Sequence, residues 1–206
     1  MFISPRFICV ALFFALAVSA CSDDGDSRQA VTPSAEEIAD LQYMREEEKL
    51  ARDVYLVLYE EWGAQVFSNI AAAEQTHTDA VADKIEKYGL LDPVVDDSIG
   101  AFVNSFLLEK FYELVAKGQF SELEALMVGA FIEELDIIDL QEAIDETDES
   151  DIIELYSNLM RGSRNHLRAF VELIEEATGE EYTAQLLDQE VVDAIVSESL
   201  ETGGRD

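Results

Sequence analysis

The chain has 206 residues, a formal net charge of −32 at pH 7 and two cysteines, Cys9 and Cys21. Such acidity excludes a nucleic-acid backbone as partner, which demands a basic surface, and disfavours lying flat on anionic lipid. The length suits one domain, and the cysteines are too few for an iron–sulfur or rubredoxin-type centre.

Residues 1–20 read as a secretory signal: Arg6, then an apolar run from Phe7 to Val18, too short to span a bilayer comfortably. "VSAC" resembles the lipobox of bacterial lipoproteins, which makes Cys21 the lipidated first residue of the mature chain. Residues 21–35 form a polar tether containing Pro33, and residues 36–200 the domain. This places the protein in the cell envelope, lipid-anchored and facing the periplasm or the exterior. Ser22 supplies no aspartate-type retention signal, which favours the outer membrane. With Cys9 removed and Cys21 lipidated, no disulfide staples the fold. The surface charge concentrates cations, or simply solvates a protein from a salty habitat; five lysines in the chain fit the latter.

The domain reads as all-α. The first helix runs from a Ser34 cap, with Glu37 completing a capping box, to Trp62 before Gly63; the second spans about Val66 to Tyr88, before Gly89. A short helix covers about Ile99 to Lys117. The third long helix runs from Ser121 to Asp145 and the fourth from Asp151 to Thr178, before Gly179. A small helix near Asp188 to Leu200 follows. Two antiparallel hairpins joined by a long crossover, which carries the short helix, form the connectivity of ferritin-like four-helix bundles. Composition alone also permits an irregular helical array.

Each long helix carries an apolar seam interrupted near its middle. The first reads Leu41, Met44, Glu48, Ala51, Tyr55, Leu58, and the second Phe67, Ile70, Glu74, His77, Val81, Ile85. The third reads Leu123, Leu126, Ala130, Glu133, Ile137, Leu140, and the fourth Tyr156, Leu159, Ser163, His166, Phe170, Leu173, Ala177. Within the "REEEK" run one glutamate is expected inside and its neighbours in water. Burying an unpaired charge costs several kcal/mol against a net stability of about 5–15 kcal/mol. Three carboxylates and the chain's two histidines at one level therefore need compensation. Ion pairs with Arg52 or Arg164 are one solution; two first-row metals, held by carboxylates and imidazoles, are the other. Glu74 and His77, at i and i+3, share a helix face. Helix phase leaves Glu47 as an alternative to Glu48, and Glu134 to Glu133.

"EKLARDVY" (48–55), "EQTH" (74–77), "IEELDI" (132–137) and "RGSRNHLRAF" (161–170) resemble the ligand-bearing helices of the ferritin-like superfamily, with rubrerythrin's pattern nearest. The combination also resembles a ferritin-like bacterial and archaeal family catalogued only as a domain of unknown function. The resemblance implies a four-helix bundle around two iron ions or an iron/manganese pair, with Glu48, Glu74, His77, Glu133 and His166 as ligands. The superfamily's last Glu-x-x-His is here Ser163-x-x-His166, so one carboxylate is missing, and Asp136 or Glu134 would replace it. The rubredoxin-type domain is absent.

Three functions follow. The first is a membrane-tethered metalloprotein reacting with dioxygen or peroxide, of ferroxidase, peroxidase or oxidase type. The second is a non-enzymatic metal-binding or storage lipoprotein. The third is a metal-free helical interaction module with a buried ion-pair network. The sequence names no protein partner.

Overall fold

Ser34 opens the first helix with a reciprocal cap. Its Oγ accepts from Glu37 N (3.1 Å), and Glu37 Oε2 accepts from Ser34 N (2.7 Å). The computed structural model describes residues 32–202, so the expected signal segment, Cys21 and most of the tether lie outside the described residues. No helix among the described residues is long and apolar enough to cross a membrane.

Six helices and no strands make up the described chain. α1 (Ala35–Trp62) stops at Gly63, whose φ of 68° is open to glycine and whose N–H reaches Tyr59 O at 2.8 Å. Two residues later α2 (Gln65–Lys87) begins, so the two helices fold back on each other. α3 (Ser105–Gly118) lies on α1 and α4. α4 (Glu122–Asp145), capped by Ser121 Oγ, pairs with α5 (Ser150–Thr178), and α6 (Gln189–Ser197) packs on α5. The two hairpins meet through α1 against α4 and α2 against α5. Trp62 Nε1 donates to Gly118 O (2.9 Å), which brings the end of α3 beside the end of α1. At the opposite end Lys84 Nζ and Tyr88 Oη bind Asp151, at 2.9 and 2.6 Å.

Four features differ from the sequence reading. α3 begins at Ser105, under an Asn104 cap, six residues later than expected. α6 stops at Ser197. Leu123 and Ala177, at the seam ends, face solvent.

The largest difference lies in α1. Every residue from Met44 to Tyr55 is buried, including Glu46, Glu47, Glu48 and Lys49, so the expectation of one interior glutamate fails. The reason is a second partner. The segment between α2 and α3 lies along the outer face of α1 and is clasped there by charge. Arg45 Nε binds Asp92 (3.2 Å), while Glu46 accepts from Val103 N (2.5 Å) and Asn104 N (3.1 Å). Lys49 Nζ binds Asp53 (2.5 Å) and Ser98 O (2.9 Å) and sits 4.5 Å from the Phe102 ring centre. Arg52 spans Asp53 and Asp97, both at 2.8 Å, and Asp53 accepts from Gly100 N (2.9 Å).

The C-terminal segment is held from inside. Glu134 is fully buried and accepts from Tyr182 Oη (2.7 Å) and from the N–H groups of Gln185 (3.0 Å), Leu186 (2.6 Å) and Leu187 (2.8 Å). Further on, Glu201 takes Arg164 Nε (2.7 Å) and Arg168 Nη2 (3.1 Å).

Two predictions follow from these contacts. Asp53→Ala strands the Lys49 ammonium in a dry interior and should cost about 3–5 kcal/mol, read by denaturant unfolding; a near-neutral result contradicts the clasp. Arg164's hydrogen bond holds the Glu201 carboxyl down to about 2, against burial, which raises it, and with help from Arg168. Its stabilising contribution is therefore complete above 4.5 and lost as pH falls toward about 2. The wild-type melting temperature should fall more steeply across that window than that of Glu201→Gln.

Candidate metal centre

The seam positions of α1, α2, α4 and α5 converge on one polar layer. Glu48, Glu74 and Glu133 are each 1–2 % exposed, and the two imidazoles close the layer from the α2 and α5 side. His77 Nδ1 lies 2.8 Å from Glu74 Oε2 and 3.2 Å from Glu48 Oε2. His166 Nδ1 lies 2.8 Å from Glu74 Oε1 and 3.5 Å from Glu133 Oε2. The rings stack with centroids 5.6 Å apart. Glu74 thus faces both histidines, one through each oxygen. Glu48, Glu74, His77 and Glu74, Glu133, His166 form two triads, each with donor atoms within 4.8 Å of one another.

Charge sets the protonation of the layer. Burial pushes Glu48 up to about 8, with His77 pulling the other way. Burial also raises Glu74, yet the two imidazoles overcome it and hold the carboxyl well below its ordinary value. Burial lowers both histidines, but Glu74 and Glu48 raise His77 to about 12, and Glu74 and Glu133 raise His166 to about 10.

The donor set fits two metal ions. Among the described residues, no lysine or arginine pairs with Glu48, Glu74 or Glu133, because Arg52 is taken by Asp53 and Asp97, and Arg164 by Glu201. Glu48 Oε1 is buried without a hydrogen-bond partner. His166 Nδ1 is buried and close to carboxylate oxygens, yet makes no hydrogen bond of good geometry. Three carboxylates facing two imidazoles, with donor atoms left over, form a donor set that two first-row metal ions would satisfy.

The remaining candidates separate. Glu134 is occupied by the C-terminal segment, far from both histidines in its bonding. Asp136 accepts a short hydrogen bond from Ser163 Oγ, and Glu48, Glu74 and Glu133 act on its charge, so it borders the layer. Glu47 is buried beside Asp139 and Asp136 instead of the histidines. Tyr55, on the α1 seam, donates to Glu133 Oε1 (2.6 Å) and fixes that carboxylate; its ring packs on Phe67 and Phe170.

One residue escaped sequence reasoning altogether. A Cβ on Gly162 would sit 2.3 Å from His77 Cε1 and 2.5 Å from Nε2. The backbone of α5 thus forms the wall against which the His77 ring rests. The only signal was a glycine inside a helix, one residue before the seam position Ser163.

The chain belongs to the family described as Uncharacterized protein domain (DUF2202), which matches residues 37–199. It is 54% identical over 170 residues to Uncharacterized protein MJ0754 of Methanocaldococcus jannaschii, covering 82% of this chain and 91% of that protein. It is also similar to the crystal structure of hypothetical protein MJ0754 from Methanococcus jannaschii, with a TM-score of 0.81 and 52% identity over 85% of this chain and 99% of that one. The matched span takes in all five residues of the two triads.

Gly162→Ala tests the close approach. In an open helix the change stabilises by about 1 kcal/mol; here the methyl meets the imidazole and should instead cost about 1–3 kcal/mol. Thermal unfolding reads the sign, and a stabilised variant removes Gly162 from the site.

Proposed function

We propose that the chain is a ferritin-like metalloprotein of the four-helix-bundle class, holding two iron ions or an iron/manganese pair and reacting with dioxygen or peroxide, tethered to the cell envelope through lipid at Cys21. The observation that carries this reading is Glu74, one buried carboxylate with an imidazole on each oxygen and a further carboxylate beyond each imidazole. Glu48, Glu74 and His77 would hold one metal, and Glu74, Glu133 and His166 the other, with Glu74 shared. Two helical hairpins joined by a long crossover support the same assignment.

Bound there, the metals would supply Lewis acidity and the electrons that reduce an oxidant. The chain supplies the rest. Tyr55 Oη orients Glu133, and the Tyr55, Phe67 and Phe170 rings exclude water on one side of the layer. Access is from the other side, where the His77 and His166 side chains are 14% and 12% exposed while the carboxylates are closed off. In the metal-free chain Glu48, raised to about 8, keeps a proton at neutral pH and relieves the repulsion from Glu74.

A metal-free ion-pair module is the second reading. The 2.8 Å contacts of both histidines to Glu74 favour it, since imidazolium–carboxylate pairs close to that distance without a metal.

Metal content decides between them. The chain and its Glu74→Ala/His77→Ala variant are loaded anaerobically with ferrous iron and desalted. Two irons per chain, lost in the variant, are expected, followed by turnover with air or peroxide. Iron held without turnover makes the protein a non-enzymatic store. Iron-free chain of unchanged stability leaves the ion-pair module.

A further inference from the structure

Four apolar side chains of the crossover segment are turned outward: Leu91 and Val95 are each 84% exposed, Val103 66% and Ile99 52%. α1 holds this segment by other groups. Gln42 Nε2 donates to Leu91 O (2.8 Å), Lys49 Nζ to Ser98 O (2.9 Å), and Glu46 accepts from Val103 N (2.5 Å). These grips also trace the path. The segment passes Gln42, advances along α1 to Arg52, which takes Asp97, and returns to Glu46. Val103 thus comes back to the level at which Arg45 holds Asp92. The four side chains share one patch over ten residues of α1, about 15 Å of helix. Tyr112, 63% exposed, extends it, since Gly100 lies against the Phe111 ring and that ring is centred 5.4 Å from Tyr112's.

Single apolar residues on a surface need no partner, whereas a contiguous patch of several hundred Å² marks a contact. The five side chains expose on the order of 500 Å². A standard interface takes ~800 Å² from each partner and is about 65% apolar in homodimers, again about 500 Å². Charge points the same way. At a net charge of −32 the chain repels its own copy over most of its surface. On this face the acids are largely neutralised where they stand, Asp92 by Arg45 and Asp97 by Arg52. Among the described residues, Asp96 is the one aspartate of the segment without an ion pair.

We propose that the crossover face is the contact of a two-fold homodimer, in which the patch of Leu91, Val95, Ile99, Val103 and Tyr112 on one copy covers the same patch on another. An isologous contact asks for no partner surface beyond the patch itself. It lies over the outer face of α1, away from the inner face that carries Glu48, so the proposal stands whatever the polar layer holds.

The test is the mass of the full chain by sedimentation equilibrium in density-matched detergent, beside Leu91→Asp/Val95→Asp. Both side chains face water in the single copy, and the added carboxylates would oppose each other across the two-fold contact. A mass of two chains for the unaltered protein, falling to one chain in the variant, is the expected result. One chain for the unaltered protein overturns the proposal and leaves the face to a different protein or to lipid. Two chains in both puts the dimer contact elsewhere and also overturns it. Hydroxyl-radical labelling of the unaltered chain gives the same decision without relying on the variant to fold. In a sample that sediments as two chains, protection of Leu91, Val95 and Tyr112 beside strong labelling of the exposed Leu200 supports the contact. Strong labelling of all four rejects it.

Discussion

Glu74 is surrounded by a charge imbalance that the polypeptide does not resolve by itself. Glu48 and Glu133 share its layer, Asp136 borders it, and Glu47 and Asp139 lie just beyond, all in the core of a domain whose net stability is about 5–15 kcal/mol. Among the described residues, the opposing charge in direct contact with Glu48, Glu74 and Glu133 is two imidazoles. Each uncompensated ion costs several kcal/mol after relaxation, so this arrangement persists only through protonation or bound cations. Because Glu74 meets histidines from its own helix and from α5, and these meet carboxylates of α1 and α4, the compensation is shared by four helices at once.

α1 carries the greatest load. Its inner face supplies Glu48 and Tyr55 to the layer, while its outer face supplies Arg45, Glu46, Lys49, Arg52 and Asp53 to the crossover. A helix charged on both sides and buried on both is held against rotation: turning it to relieve one face unmakes the other. This gives Glu48 and Tyr55 a rigid mount without any disulfide among the described residues. Arg52 joins the two faces most directly, since Nη1 donates to Gln75 Oε1 (2.6 Å), the residue after Glu74.

Much of this was legible in the sequence. Ser34, Gly63, Ser121 and Gly179 mark helix ends to within a residue, because caps are local chemistry. The seams bring Glu48, Glu74, His77, Glu133 and His166 to one level, because a three-and-four spacing fixes one face of each helix. What failed was whatever depended on a second partner. Periodicity assigns one buried stripe per helix and cannot register that a distant loop covers the other side, so the buried Glu46 and Lys49 were invisible. Glu134 next to Glu133 looked like a question of phase, whereas its partners are backbone amides some fifty residues away. The arginines offered as counter-ions for the layer serve carboxylates outside it, Arg52 those of Asp53 and Asp97 and Arg164 that of Glu201. The late start of α3 has the same origin, since residues that would extend it are bound by their backbone to Glu46 and Asp53.

The crossover clasp has an evolutionary consequence. α1 grips that segment largely through its main chain: Ser98 O, Asp97 O, and the N–H groups of Gly100, Val103 and Asn104. Several of the side chains it carries, among them Leu91, Val95 and Val103, point to water. Substitution at those positions changes the outer surface without touching the grip, while α1, which reads mostly backbone there, must keep its own residues. Within such a scaffold the loop is free to diversify, and the helix beneath it is not.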